Sequence, residues 1–248
     1  MIRKLIFIGF LALLFVALAG TWPDDSGSKV TDSGSKVTET PELEELAESS
    51  DNEEADKESL GQKTWVIPTP VWVIGSYDKE GKPNVMTSSW VGISCSKPAS
   101  LMTCLREATY THGNIMERKA FTVNIASESF ARQVVYVGRV SGRDVDKFKE
   151  TGLTPIKSSH VDAPYVKEFP LVIECRLRQT VELGLHTMFI GEIMDIKADP
   201  SILSDEGVPD IEKLNPIVFT PGSSKFYGIG ELIGEVSDLA KEAQIKKH

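Results

Sequence analysis

Three cysteines and four histidines are the side chains of this chain best suited to nucleophilic, redox or metal chemistry, and their spacing organises none of it. Cys95, Cys104 and Cys175 contain no C-x-x-C pair, which argues against a zinc ribbon and against a disulfide scaffold. They fall in strand-like runs and are expected to be packed thiols without a redox role. His112, His160, His186 and His248 are widely scattered, and no HExxH or close His/Asp pair is present, so no metal centre is expected. Gly228, Gly230 and Gly234 are spaced GxGxxxG near the C-terminus with no βαβ unit after them, which is not a dinucleotide fingerprint. There is no GxxxxGK[ST] phosphate loop and no GxSxG elbow. Spacing alone stops at a β domain with a small polar site.

The elements that must carry such a site are mostly strands. Val71–Tyr77 is β-branched and aromatic and ends in the polar turn Asp78–Pro83, so Asn84–Ser94 is expected to return as a second strand. Ser100–Arg106 and Phe121–Ile125 read as strands three and four, with a helix over Thr109–Lys119 between them. A second helix is expected over Glu128–Val137, with Ser127 as its cap. Ile173, Cys175, Leu177, Gln179 and Val181 alternate with Glu174, Arg176, Arg178, Thr180 and Glu182, the pattern of a half-buried antiparallel strand. His186–Ile196 and Ile217–Thr220 supply two more. Helices are too few for repeated βαβ units. The fold class is mainly β, an antiparallel barrel with a few appended helices.

Charge divides the chain of 248 residues. Residues 1–62 hold 13 acids and 5 bases, while residues 63–248 hold 23 acids and 22 bases. The near-neutral domain has no basic excess for a nucleic-acid surface, so no nucleic-acid partner is expected. Arg3 and Lys4 precede an apolar run from Leu5 to Ala19 that ends in a small-x-small site, the pattern of a signal peptide. The run is shorter than the roughly 20 residues of a comfortable span, although an uncleaved N-terminal anchor shares this pattern. Residues 21–62 read as an acidic, disordered linker in which DSGSKVT at Asp25–Thr31 is duplicated at Asp32–Thr38. A short helix could form near Pro41–Ser49. The expected organisation is a signal peptide or anchor at 1–20, a linker at 21–62 and one domain at 63–248, located outside the cytoplasm.

From Asn84 onward the domain resembles a known family. NVMTSSWVG, SLMTCLREATYTHGNI, FTVNI, SGRDVDKF and GLHTMFIGEI follow one another over roughly Val66 to Glu235, and in that order they look like the flavoredoxins. These belong to the flavin reductase-like proteins with an FMN-binding split β-barrel of Greek-key type. Leu185 departs from the pattern, standing where an acidic residue often precedes the histidine.

The resemblance implies FMN as cofactor, and the matching residues suit it. Asn84, Met86, Thr87, Ser88 and Trp90 would contribute amide, backbone and hydroxyl groups to the ring edge and an aromatic shield beside it. Arg106, Thr109 and Thr111 lie at a strand-to-helix junction whose free N–H groups favour an anion, which suits the phosphate. Phe219 resembles an aromatic near the ring. His186 and Lys147 would take the catalytic positions on the open face, where NAD(P)H docks as electron donor, although a lysine at Lys147 could equally balance the flavin phosphate. Each has a plainer reading too: Thr111 as a helix cap, Lys147 as an exposed partner of Asp144 or Asp146, His186 and Phe219 as core residues. The implied function is electron transfer from NAD(P)H through bound FMN to an unidentified redox partner, as an NAD(P)H-dependent flavin reductase-like oxidoreductase. The alternative is a non-catalytic extracytoplasmic FMN-binding or electron-carrier module. A homodimer is implied by the family.

Overall fold

The structure, a computed structural model, describes residues 57–243. The expected signal peptide or anchor, most of the expected linker and the short helix expected near Pro41–Ser49 lie outside the described residues. In chain order the strands are β1 Thr69–Pro70, β2 Trp72–Tyr77, β3 Pro83–Ser88, β4 Val91–Ser96, β5 Ala99–Arg106, β6 Ala120–Ile125, β7 Pro155–Lys157, β8 Pro164–Val166, β9 Leu171–Glu182, β10 His186–Ala198, β11 Val218–Thr220 and β12 Lys225–Tyr227. The α-helices are α1 Tyr110–Arg118, α2 Ala131–Arg139, α3 Lys147–Thr151, α4 Ile211–Leu214 and α5 Val236–Glu242.

Seven strands form one antiparallel sheet in the order β3-β2-β6-β9-β10-β5-β4. The segment expected to be one strand, Asn84–Ser94, is in fact two, broken at Ser89–Trp90. Its halves sit at opposite ends of the strand order while remaining consecutive in the chain, so the sheet must curl back on itself. No backbone ladder joins β3 to β4. Across the seam the Thr103 hydroxyl of β5 donates to Ser88 Oγ of β3 at 3.2 Å, while the Cys104 amide donating to the Trp90 carbonyl at 2.8 Å extends the pairing of β5 with β4. That open seam makes the barrel a split one.

Two clusters fill the interior. Ile74, Leu101, Ile115, Phe121, Val123 and Phe189 pack where α1 covers the sheet. Val71, Val85, Val134, Val137, Phe148 and Val166 pack beneath α2 and α3. Each buried aliphatic or aromatic side chain of this kind stabilises the fold by about 1.5–3 kcal/mol. Gly191 lets β10 bend over the Phe121 ring, where a Cβ would come within 2.8 Å of Phe121 Cε1. The helix α1 starts where expected: Thr109 Oγ1 accepts from the His112 amide at 3.3 Å, and Lys119 ends the helix in a left-handed conformation.

Some expectations need correction. Ser127 does not cap the next helix; its hydroxyl meets Ser129 Oγ at 2.9 Å, and a 3₁₀ turn over Glu128–Phe130 leads into α2. The alternation along β9 holds only over Cys175–Arg178; beyond it Gln179, expected inward, is exposed and Thr180, expected outward, is half-buried. Residues 171–175 are all buried, and Glu174, assigned to the solvent side, has no exposure. Cys175 is buried and Cys104 half-buried, but Cys95 on β4 is exposed.

Candidate functional site

Three adjoining cavities run along the outside of β3 and the seam. The first, of about 270 Å³, lies between β3, the start of α1 and the end of α2, and continues to Lys147 at the head of α3. Met86, Thr109, Thr111, Arg139, Arg143 and Lys147 line it, and no acidic side chain does. The second, of about 500 Å³, shares Gly138 and Arg139 with the first and adds Thr87, Phe219 and Phe226. The third, of about 400 Å³, shares Ser89 with the second and is walled by Trp90, Met102 and Cys104. The groove thus grades from cationic to aromatic.

Lys147 dominates the cationic end. It is buried, and its ammonium donates to the Val85 carbonyl at 2.8 Å and the Val137 carbonyl at 2.7 Å. With no carboxylate beside it, burial pushes its pKa down to about 8. Two carbonyl bonds leave one N–H of the three without a protein partner among the described residues. Arg143 stacks over the Tyr110 ring, 5.3 Å from its centroid, and donates to the Ala108 carbonyl at 2.9 Å. The Tyr110 hydroxyl in turn donates to Asp78 Oδ2 at 2.7 Å; burial and that carboxylate push its pKa up to about 12. Tyr110 is therefore a neutral strut for the guanidinium.

Asn84 is buried on β3. Its amide donates to Thr111 Oγ1 at 2.9 Å and to Ser76 Oγ at 3.5 Å, while its Oδ1 has no hydrogen-bond partner in the structure. A buried, unpaired amide oxygen costs about 1–3 kcal/mol. Gly142 makes room for it: a Cβ would overlap Asn84 Oδ1 and stand 2.8 Å from Tyr110 Cδ1.

The remaining residues divide between the other end and the frame. His186 opens β10 directly opposite Arg106, the exposed last residue of β5. The His186 ring lies nearly parallel to Trp90, with centroids 6.1 Å apart. Next to it, the buried Thr187 hydroxyl donates to Glu182 Oε2 at 2.8 Å and meets His112 Nε2 at 2.9 Å. Thr87 lines the middle cavity, its hydroxyl donating to the Val134 carbonyl at 2.6 Å. Phe219 packs edge-on against Phe226 at 5.8 Å in the same cavity. Ser88 is spent on the barrel seam.

Two pairings expected from the sequence do not occur. Lys147 and His186 do not share an open face: Lys147 is buried at the cationic end, while His186 stands beside Trp90. Arg106 and Thr111 do not converge either, since Arg106 lies beside His186 and the guanidinium groups in the cavity are Arg139 and Arg143. Both arginines were missed, although Arg143 stands inside the quoted run SGRDVDKF.

Comparison with known proteins fits this geometry. Residues 64–223 match the family model described as "Flavin reductase like domain". The flavoredoxin of Desulfovibrio vulgaris (Miyazaki F) superposes with a TM-score of 0.70 at 48% identity, covering 73% of this chain and 97% of that one. The flavoredoxin of Methanosarcina acetivorans superposes with a TM-score of 0.71 at 28% identity, covering 76% of this chain and all of that one. A ferric-chelate reductase (NAD(P)H) of Archaeoglobus fulgidus is 28% identical over 101 residues, 40% of this chain and 59% of that protein.

Proposed function

The chain belongs to the flavin reductase-like family, and on that premise we propose that it is a flavoredoxin-type FMN protein that passes electrons from NAD(P)H through the bound flavin to a separate acceptor. The observation that carries this is the acid-free cavity around Lys147. It is lined by three cations and two threonines, with Asn84 behind it bonded to Thr111 Oγ1. A phosphate supplies the negative charge that these three cations lack. The anion neutralises the cations.

Thr109, Thr111, Arg139, Arg143 and Lys147 hold the phosphate end, and Thr87, Phe219 and Phe226 line the slot for the flat ring. Bound flavin supplies the capacity to accept a hydride and release single electrons. The protein orients it and excludes water from one side. Trp90, His186 and Arg106 stand together at the open end, where a guanidinium without a carboxylate partner among the described residues suits the negative charge of a nicotinamide dinucleotide. Reduction of ferric chelates, the activity that the Archaeoglobus relative's name carries, is a fitting test reaction for the acceptor side. The exposed Trp65, Val66 and Ile67 support assembly as a homodimer, and the N-terminal segment supports export.

The experiment measures two quantities, flavin occupancy and the rate at which the yellow colour bleaches with NADH or NADPH under anaerobic conditions. Thr111→Val with Lys147→Met is expected to empty the site. His186→Ala with Arg106→Met is expected to keep the flavin and slow its bleaching. Wild-type flavin that never bleaches with either nucleotide would leave the non-catalytic carrier reading in place of the reductase. Sedimentation of the flavin-loaded chain at the mass of one copy would remove the dimer.

A further inference from the structure

On the sheet, Glu174 of β9 and Asp195 of β10 are direct cross-strand partners. Two carboxylates placed opposite each other repel unless a cation stands between them. Here Glu174 has no exposure, and its two oxygens are oriented from behind by backbone amides: Ser159 N–H at 3.1 Å and His160 N–H at 2.7 Å. Lys197 bonds Glu174 Oε1 at 2.7 Å and also Asp195 Oδ2. The half-exposed His160 ring hangs over the pair from the segment between β7 and β8, with Nδ1 3.4 Å from Glu174 Oε2 and 3.4 Å from Asp195 Oδ2.

Those two separations are informative. Charge-assisted hydrogen bonds between N and carboxylate O run at about 2.7–2.9 Å, so His160 Nδ1 is hydrogen-bonded to neither oxygen. A separation of about 3.4 Å is instead the edge of a coordination tetrahedron with bonds of about 2.0–2.1 Å, the length that zinc makes to imidazole nitrogen and carboxylate oxygen. The three ligand atoms all lie within 4.8 Å of one another, and among the described residues this is the one such group. With one ammonium against two carboxylates, the cluster retains a negative charge for a cation to neutralise.

We propose that His160 Nδ1, Glu174 Oε2 and Asp195 Oδ2 form a binding site for a zinc-class divalent cation, with Lys197 as the internal counter-ion that the metal displaces from Asp195. Three protein ligands leave a fourth position for water, and the exposed His160 edge gives access. The amides of Ser159 and His160 are the outer support that fixes the Glu174 carboxylate. The metal would fasten the segment between β7 and β8 to the barrel, away from the flavin groove, so the site stands or falls independently of the cofactor assignment.

The test titrates zinc chloride into the full chain by calorimetry, with Tm as a second readout. Wild type is expected to take up one zinc ion that His160→Ala does not, and to gain in Tm only when that ion is bound. His160 is half-exposed, so this variant keeps the fold, whereas Glu174→Gln alters a buried group and can fail to fold. Lys197→Met removes the competitor and is expected to tighten the same site by about ten- to a hundredfold, the equivalent of one charge-assisted hydrogen bond. Three results would each overturn the site: no zinc uptake by wild type at about 1 mM, equal uptake by His160→Ala, or no gain in affinity with Lys197→Met.

Discussion

Two lysines sit in this barrel under opposite electrical conditions. Lys147 is buried among carbonyls with no carboxylate in reach, and burial lowers its pKa to about 8. Lys197 is lowered by burial too, but the Asp195 and Glu174 carboxylates outweigh that and hold it above its ordinary value. One site has positive charge unspent and the other has negative charge to spare. The same residue type therefore marks a place that awaits an anion and a place that awaits a cation. Neither assignment is visible from a lysine's position in the sequence.

The contrast breaks most sharply at Gly142. Gly142→Ala forces a methyl group against Asn84 Oδ1 and Tyr110, closing the anion side while leaving the Lys197 cluster untouched. Overpacking of this kind costs about 1–3 kcal/mol, so flavin affinity is expected to fall up to about a hundredfold, measured by equilibrium dialysis of FMN. Normal flavin content in that variant would move the cofactor out of this cavity.

Lys147→Met tests the lysine itself, and its signature lies in pH. The ammonium is protonated in the unfolded chain up to about pH 10.5 but in the folded chain only up to about 8. Between those values the unfolded state binds more protons, so this group makes stability rise with pH. The cost is fully present below pH 8 and is relieved above it. At about 1.36 kcal/mol per pH unit, the full effect is roughly 3 kcal/mol. Urea titrations of the flavin-free protein should show wild type gaining on Lys147→Met by up to that amount between pH 8 and 10.5. An anion on Lys147 stabilises its charged form, so FMN affinity in wild type should weaken as pH rises above 8. Parallel pH curves for the two proteins would show that Lys147 is not the group at issue.

Lys197→Met should give the smallest effect and the opposite character. It leaves Glu174 with its two amide donors but without its cation, and Lys197 is about one-third exposed, so the loss is discounted to about 1–2 kcal/mol. Chemical denaturation at pH 7 measures it. A variant more stable than wild type would mean that the carboxylate pair is relieved by some other route.

These two sites also separate what the sequence could tell from what it could not. Period-two patterning and β-branched content located most of the long strands, and Thr109 capped the expected helix, because such signals report neighbours a few residues apart. The resemblance located Asn84, Thr87, Thr111 and Lys147 near one groove. Lys147 was nonetheless assigned to the open face, since nothing local announces that α2 and β3 would both turn carbonyls toward it. Arg139 was missed for the same reason: its role arises where the end of α2 meets the start of α1. Glu174 obeyed the alternation of a solvent-facing residue, yet the segment from Ser158 to Ala163 folds over that side of β9 and buries it. The histidine and the two acids of that cluster are too far apart in sequence to form any familiar spacing. Only the barrel's register brings Glu174 opposite Asp195.

The Thr187 hydroxyl decides one matter of chemistry on its own. It has a single proton, and it gives that proton to the Glu182 carboxylate, which can only accept. The contact with His112 Nε2 must then run the other way, with the ring nitrogen as donor. His112 is thereby fixed as the Nε2–H tautomer, even though it sits on the buried face of α1 edge-on to Phe189 and has no carboxylate of its own among the described residues. Nitrogen-15 NMR should find Nε2 protonated and Nδ1 carrying the lone pair in the neutral ring. Thr187→Val should release that preference, so the tautomer serves as a reporter of whether the strand carrying His186 is seated.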